Sequence, residues 1–273
     1  MEDRQIPTNI SNESREIRKI VLETALNAKK GHVPSAFSWV EIAVVLYFKG
    51  ILKFDAKNPQ MEDRDRFILS KGHGGAAVYA SLAEVGFFDK SELLDYAQDG
   101  SKFGGHISHE DIPGVEFSTG SLGHGLSVAS GVALRAKLDN IDYKVFTILG
   151  DGELDEGSNW EAFMFAAHKK LNNLCAVIDR NNLQSIDTTE NTLALEPLAK
   201  KIRSFGWYVE ELDGHDHQAL EKAFNIYSIK PLCLIARTVK GKGVSFMENK
   251  IEWHYKTPKG SEFDQAISEL EGQ

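Results

Sequence analysis

The chain has 273 residues, of which 42% are hydrophobic and 26% charged, a composition that suits one large α/β domain or two small ones. Its net charge of −9 argues against a general nucleic-acid or anionic-membrane binder, which needs a basic face, although a local cluster of histidine and lysine could still hold a small anion. No run of about 20 residues is apolar enough to span a bilayer, and the N-terminal segment from Met1 to Pro7 has no signal-peptide core, so a cytoplasmic protein is expected.

Residues 1–10 and about 260–273 read as polar ends of lower order around a single domain spanning 1–273. Ile17, Ile20, Val21 and Ala25 keep helical spacing, and Gly31 stops that pattern. Five short apolar runs follow, starting at Phe67, Val145, Leu174, Trp207 and Pro231, with helical patterns between them. Such runs read as buried parallel strands. Between the second and third, Trp160, Phe163, Met164 and Ala167 form another helical stripe, with acids in its first turn and His168-Lys169-Lys170 in its last. Alternating units of this kind predict a doubly wound, mainly parallel α/β sheet with helices on both faces and ligands at the carboxyl ends of its strands. Cys175 and Cys233 lie inside apolar runs and read as buried thiols.

The strongest local signal lies between residues 145 and 184. The strand Val145–Leu149 runs into Gly150-Asp151-Gly152; 28 residues later, after a helix and a strand, comes Asn181-Asn182-Leu183. This crossover puts both loops at one edge of the sheet. Gly-Asp-Gly alone is an ordinary turn. With the second loop it makes an oxygen-donor set for Mg²⁺ or Ca²⁺: the Asp151 carboxylate, the Asn181 amide oxygen and a backbone carbonyl, that of Leu183. The glycines let a backbone approach phosphates, and a helix expected to start near 153 offers free N–H groups. No GxxxxGK[ST] pattern is present, so a P-loop site is not indicated.

Several of the nine histidines sit beside glycine: Gly31-His32, Gly72-His73, Gly105-His106 and Gly123-His124, with Trp253-His254 further on. A single histidine is more often a surface or satisfied core residue. Recurring Gly-His pairs instead suit imidazoles projecting into an open cleft.

Gly-Asp-Gly followed after some thirty residues by Asn-Asn resembles the motif of thiamine-diphosphate enzymes. The segments DRFILSKGH, PGVEFSTGSLGHGLSVASG, GDGELDEGSNWEA, VIDRNNLQ and KGKGVSF…WH, in that order over residues 15–257, resemble the first domain of the transketolase family. The resemblance implies transfer of a two-carbon ketol unit from a ketose to an aldose, either of which could be a phosphate ester. By position, Gly120, Ser121 and Leu122 resemble the loop against the cofactor rings. Asp151, Asn181 and the Leu183 carbonyl resemble the metal ligands, and Gly152 a diphosphate contact. His73, His254, Lys240 and Lys71 resemble cofactor-side groups. His32, His106, His254 and Ser35 resemble the substrate wall, with His32, His73, His106 and His254 as the catalytic set. Imidazoles titrating near neutrality suit the proton transfers this chemistry needs. Glu156 is carried over as a cofactor-side acid, and with Glu161 as lying towards a subunit interface.

Two departures stand out: Val33-Pro34-Ser35 after His32, which puts the donor pocket's shape in question, and His124 where glutamine is common. The resemblance covers the family's first domain and does not extend to its pyrimidine-binding domain, which carries the activating glutamate. The resemblance therefore implies an N-terminal subunit that works with a separate C-terminal subunit, most simply as an α₂β₂ assembly. Two alternatives remain: a related thiamine-diphosphate subunit with a specialised sugar or E1-type role, and a non-catalytic paralogue acting as a binding partner.

Overall fold

A computed structural model describes residues 10–272. Five parallel strands, β1 (Arg66–Leu69), β2 (Val145–Gly150), β3 (Leu174–Arg180), β4 (Tyr208–Asp213) and β5 (Leu232–Arg237), form one sheet in the order β1-β2-β3-β5-β4. Each of the five apolar runs is one of these strands. β2 and β3 are buried along their whole length, because helices cover both faces. β4 lies at an edge and is only partly buried.

The helices are α1 (Ile10–Ala28), α2 (Val33–Phe37), α3 (Val40–Phe48), α4 (Gly75–Glu84), α5 (Gly125–Asp139), α6 (Gly157–His168), α7 (Thr189–Thr192), α8 (Leu198–Ser204), α9 (His217–Phe224) and α10 (Ser261–Glu271). One apolar core gathers α1, α3, α4, α9 and α10 against one face of the sheet; a second gathers α5, α6 and α8 against the other. The chain steps outward from β1 to β3, skips a place to β4, and returns to insert β5. The exits of β3 and β5 therefore lead to opposite faces, and a crevice opens between their carboxyl ends.

Ile17, Ile20, Val21 and Ala25 all face the core, and α1 ends before Gly31, with Lys29 in the left-handed conformation at φ 56°. The second stripe is turned from its expected face. α6 buries Asn159, Ala162, Phe163 and Ala166, while Met164 is exposed. Its start is also later than expected. Residues 152–155 make a tight 3₁₀ turn, and the α-helix begins at Gly157. The stretch after 260 is not a loose end, since α10 buries Ala266 and Leu270 against the α1 side. Residues 1–9 lie outside the described part. Cys175 and Cys233 are buried free thiols, and no described helix is long and apolar enough to cross a membrane.

Candidate functional site

The carboxyl ends of β1, β2, β3 and β5 surround a cleft of about 230 Å³. His32, Ser35, Lys71, His73, His106, Gly120, Leu122, Asp151, Gly152, Asn181, Leu183, Lys240 and His254 all line it, although they span 223 positions of sequence (254 less 32, plus one). Ser121, His124, Glu156 and Glu161, also singled out in the sequence, do not line it. Ser121 and His124 are exposed beside the cleft loop, and Glu156 caps α6 on an exposed surface that also carries Glu161.

One wall is imidazole. The His32 ring centre lies 5.5 Å from that of His73, 5.3 Å from His106 and 5.5 Å from His254; His73 and His254 are 5.9 Å apart. His32 precedes α2, with Pro34 in the first turn of that helix, where its missing N–H costs nothing. Val33 and Pro34 are buried, and of the three residues Val33-Pro34-Ser35 only Ser35 lines the cleft. Burial, reinforced by the charges of Lys240 and Lys71, pulls His32 down to about 4 and His254 to about 3. Burial also lowers His73 and His106. The rings are therefore neutral at pH 7, each with one donor and one acceptor nitrogen.

The opposite wall is oxygen. The β2 and β3 loops meet where Asp151 Oδ2 accepts from Asn182 N at 2.6 Å, while Asp151 Oδ1 accepts from Gly152 N at 2.8 Å. Burial, and then the charge of Asp179, raises the Asp151 carboxyl to about 6. Asn181 Oδ1 accepts from Leu183 N at 3.1 Å, which fixes the amide. The Lys240 ammonium donates to the carbonyls of Leu183 (3.2 Å) and Gln184 (3.1 Å) and to His254 Nδ1 (2.8 Å). Its three protons are then used, and neutral His254 is left with its Nε2 proton for the cleft. Burial and the nearby Lys71 lower Lys240 to about 8.

A hard divalent cation wants carboxylate, amide and carbonyl oxygens. The donor set fits one: Asp151 is a buried carboxylate with its charge under strain, and the Leu183 carbonyl already faces a cation, the Lys240 ammonium. The set contains a single acid, and no cluster of three histidine, cysteine or acidic residues suited to a metal occurs among the described residues. Gly120 leaves room over the His106 ring, where a Cβ would sit 3.4 Å from it.

Several structural members of the site gave no local signal in the sequence. Glu153 is buried and accepts from Gly123 N (2.9 Å), Gly150 N (3.0 Å) and the Ser70 hydroxyl, tying three cleft loops together. Asp179, at the end of β3, accepts from the Lys71 ammonium, from Ser38 Oγ at 2.5 Å and from the Thr238 hydroxyl. Arg180 reaches Asp151 at 3.2 Å, Glu190 at 2.8 Å and Glu196 at 3.1 Å. Gln184, Ser185 and Tyr255 also line the cleft.

The family described as "Transketolase, thiamine diphosphate binding domain" matches residues 11–270. The chain is 43% identical over 258 residues to one subunit of an apulose-4-phosphate transketolase from Actinobacillus succinogenes, covering 94% of this chain and 93% of that protein. It is 40% identical to a 6-deoxy-6-sulfo-D-fructose transketolase subunit from a Clostridium species, covering 99% and 98%. Against human transketolase it is 36% identical, but spans 43% of that protein's length. The solved transketolase of Leishmania mexicana superposes with a TM-score of 0.90 at 27% identity, over 97% of this chain and 41% of that one.

Proposed function

Because the chain belongs to the transketolase family of thiamine-diphosphate-binding domains, we propose that it is the diphosphate-binding subunit of a two-chain transketolase that moves a ketol unit from a ketose to an aldose. The observation that carries this reading is one cleft with an imidazole wall facing an oxygen-donor wall. We take residues 1–273 as a single domain and a cytoplasmic protein. The partner would be a separate subunit carrying the pyrimidine-binding domain, most simply in an α₂β₂ assembly. The similarity to relatives that are themselves named as single subunits of a transketolase supports a partner of that kind.

Asp151, Asn181 and the Leu183 carbonyl would hold Mg²⁺ or Ca²⁺, with Gly152 and Lys240 at the diphosphate. Gly120 and Leu122, with Ser121 at the rim, would lie against the cofactor rings. Thiamine diphosphate, when bound, supplies the nucleophile and electron sink for cleaving a carbon–carbon bond. The chain's own part is binding, orientation and proton traffic. His73 would sit on the cofactor side. His32 and His106 would hold sugar oxygens: His32 Nδ1 and Ser35 Oγ are buried without a protein partner, as groups awaiting a polar ligand would be. His254 Nε2–H would donate to a sugar oxygen as charge develops on it. Glu156, exposed at the α6 cap and not among the residues lining the cleft, would act from the cofactor side of the subunit interface, with Glu161 beside it on that surface.

The donor ketose could be a specialised one. Two-chain relatives are named for apulose 4-phosphate and for a sulfonated fructose. The test is reconstitution. The chain co-expressed with its partner, given thiamine diphosphate, Mg²⁺ and a ketose–aldose pair, should form a new ketose. Robust transfer by the pure single chain would overturn the two-subunit reading; no transfer by the pair across a panel of ketoses would overturn the activity.

A further inference from the structure

We propose that His215, outside the cleft, is a positioning residue that acts through Lys240; this rests on the reading of Lys240 as a cofactor-site lysine. His215 lies in the turn between β4 and α9. Its Nε2 is 2.8 Å from the backbone nitrogen of Val239, the residue before Lys240. A backbone N–H can only donate, so Nε2 accepts, and the ring proton must sit on Nδ1. Nδ1 is 2.8 Å from Glu41 Oε2, an acceptor that holds this tautomer.

Glu41 is itself fixed. It is buried on α3, and Arg18 of α1 grips both its oxygens at 2.7 and 2.8 Å while also reaching the Phe37 carbonyl at 3.0 Å. Arg18, Glu41, His215 and the Val239 N–H thus form a line from the helical layer to the strap after β5. Gly214 makes the approach possible: a Cβ there would lie 2.5 Å from Thr238 Cγ2, so no side chain fits between the turn and the strap.

The strap is held on every side. Thr238 donates its hydroxyl to Asp179, Val239 N–H is taken by His215, and Gly241 N donates to the Pro34 carbonyl at 3.0 Å. Lys240 can then present three protons to two loop carbonyls and to His254 only if the backbone beneath it stays in place. Residues 238–241 lie outside the helices and strands; besides these anchors, Thr238 N donates to the Arg180 carbonyl at 3.3 Å and Asn249 N to the Lys240 carbonyl at 2.9 Å, while the Val239 N–H itself is held by His215 alone.

Two substitutions separate the role from general stability. His215→Asn places an amide donor at the Nδ1 position, keeps the Glu41 bond, and cannot reach Val239. His215→Gln extends as far as Nε2 and can offer its amide oxygen to the Val239 N–H, the bond that the Asn variant loses. Hydrogen exchange of the amides 238–241 in the full chain reads the anchoring directly. Thiamine diphosphate affinity at saturating Mg²⁺, measured by calorimetry on the chain with its partner, reads the consequence.

His215→Asn should lose protection at Val239 and weaken cofactor binding about tenfold, the value of one hydrogen bond plus an orphaned N–H. His215→Gln should stay within about threefold of wild type. In a Lys240→Ala background His215→Asn should add less than about twofold, since the two act as one unit. Unchanged protection at Val239, or losses that multiply fully in the Lys240→Ala background, would overturn the proposal. A wild-type complex that binds no thiamine diphosphate would overturn it by a different route, through the cofactor reading. The exchange data identify that case, because Val239 would still be protected.

Discussion

Lys71→Met is the sharpest test of how the cleft floor is held. Lys71 and Asp179 are at most 1% exposed, and they form an ion pair 108 residues apart in sequence. Removing the ammonium leaves a buried carboxylate without its counter-charge, a change that costs about 3–5 kcal/mol. Ser38 Oγ and the Thr238 hydroxyl still serve Asp179, which favours the lower end, about 3 kcal/mol. The Ser35 carbonyl also loses a donor at 3.0 Å, which adds about 1 kcal/mol. The total of about 4 kcal/mol corresponds to a melting temperature roughly 8–16 °C lower. The pH dependence is more diagnostic. Burial by itself raises the Asp179 carboxyl; Lys71 and the two hydroxyls outweigh it and hold it below the usual range. In the wild type that stability is present above the ordinary carboxylate pKa and is lost as the pH falls through the lower folded one. In the variant burial wins, the folded form binds the proton more tightly than the unfolded form, and stability falls as the pH rises. Urea unfolding followed by far-UV circular dichroism at pH 5 and pH 8 should therefore show a larger deficit at pH 8. The double variant Lys71→Met with Asp179→Asn should regain much of it, since no charge remains buried. A loss below about 1 kcal/mol at pH 8, or a double variant no better than the single, would refute the assignment of a buried ion pair.

Two further outcomes are expected. Burial holds His254 neutral at about 3 when folded, against about 6.5 for a free imidazole; its share of stability is full above pH 6.5 and falls by at most about 1.4 kcal/mol per pH unit below it. His254→Leu should remove that slope, and an acid profile identical to wild type in urea titrations from pH 7 to 5 would contradict it. Glu153→Gln turns an amide towards the Gly123 and Gly150 N–H groups, so at least one buried N–H loses its acceptor at about 1–3 kcal/mol. Faster hydrogen exchange at those two amides is the readout, and unchanged exchange would show that Glu153 does not bind the cleft loops.

The sheet was legible because a parallel strand covered on both faces must be apolar at every position, and β1, β2, β3 and β5 read as such runs. The cleft was legible where its chemistry rides on local punctuation: Gly-His pairs, Gly-Asp-Gly and Asn-Asn. Residues whose role depends on distant partners were not. Glu153 reads as one more acid in a helix start, and its partner Ser70 lies 83 residues away. Asp179 and Arg180 read as the opening of a polar loop, yet they are the last buried residues of β3. His215 sits in an acidic turn, and nothing in the sequence points to Val239. The face of α6 was misplaced because Trp160 has the largest apolar surface of its stripe. In the structure its Nε1 donates to the Leu154 carbonyl at 2.9 Å, so the ring stays half-buried and the packing face centres on Ala162, Phe163 and Ala166.

The charges of the cleft lead to a last expectation. Lys71 is neutralised by Asp179, and Arg180 by Asp151, Glu190 and Glu196. Lys240 is turned towards two carbonyls and His254, and the imidazoles beside it are neutral. A diphosphate, with several negative charges, meets in this cleft one ammonium not paired with an acid, that of Lys240, and beside it the Asp151 carboxylate, which shares Arg180 with Glu190 and Glu196. Repulsion between unit charges at about 4 Å amounts to about 4 kcal/mol near a protein surface, roughly a thousandfold in affinity. A divalent cation between Asp151 and the phosphates reverses the sign of that interaction. Thiamine diphosphate binding by the chain with its partner should therefore collapse in chelator and return with Mg²⁺. Asp151→Ala removes both the repulsion and the ligand, so it should bind the cofactor weakly and with little dependence on Mg²⁺. Tight binding in chelator by the wild type, or an unaltered Mg²⁺ dependence in Asp151→Ala, would mean that some other group carries the diphosphate charge.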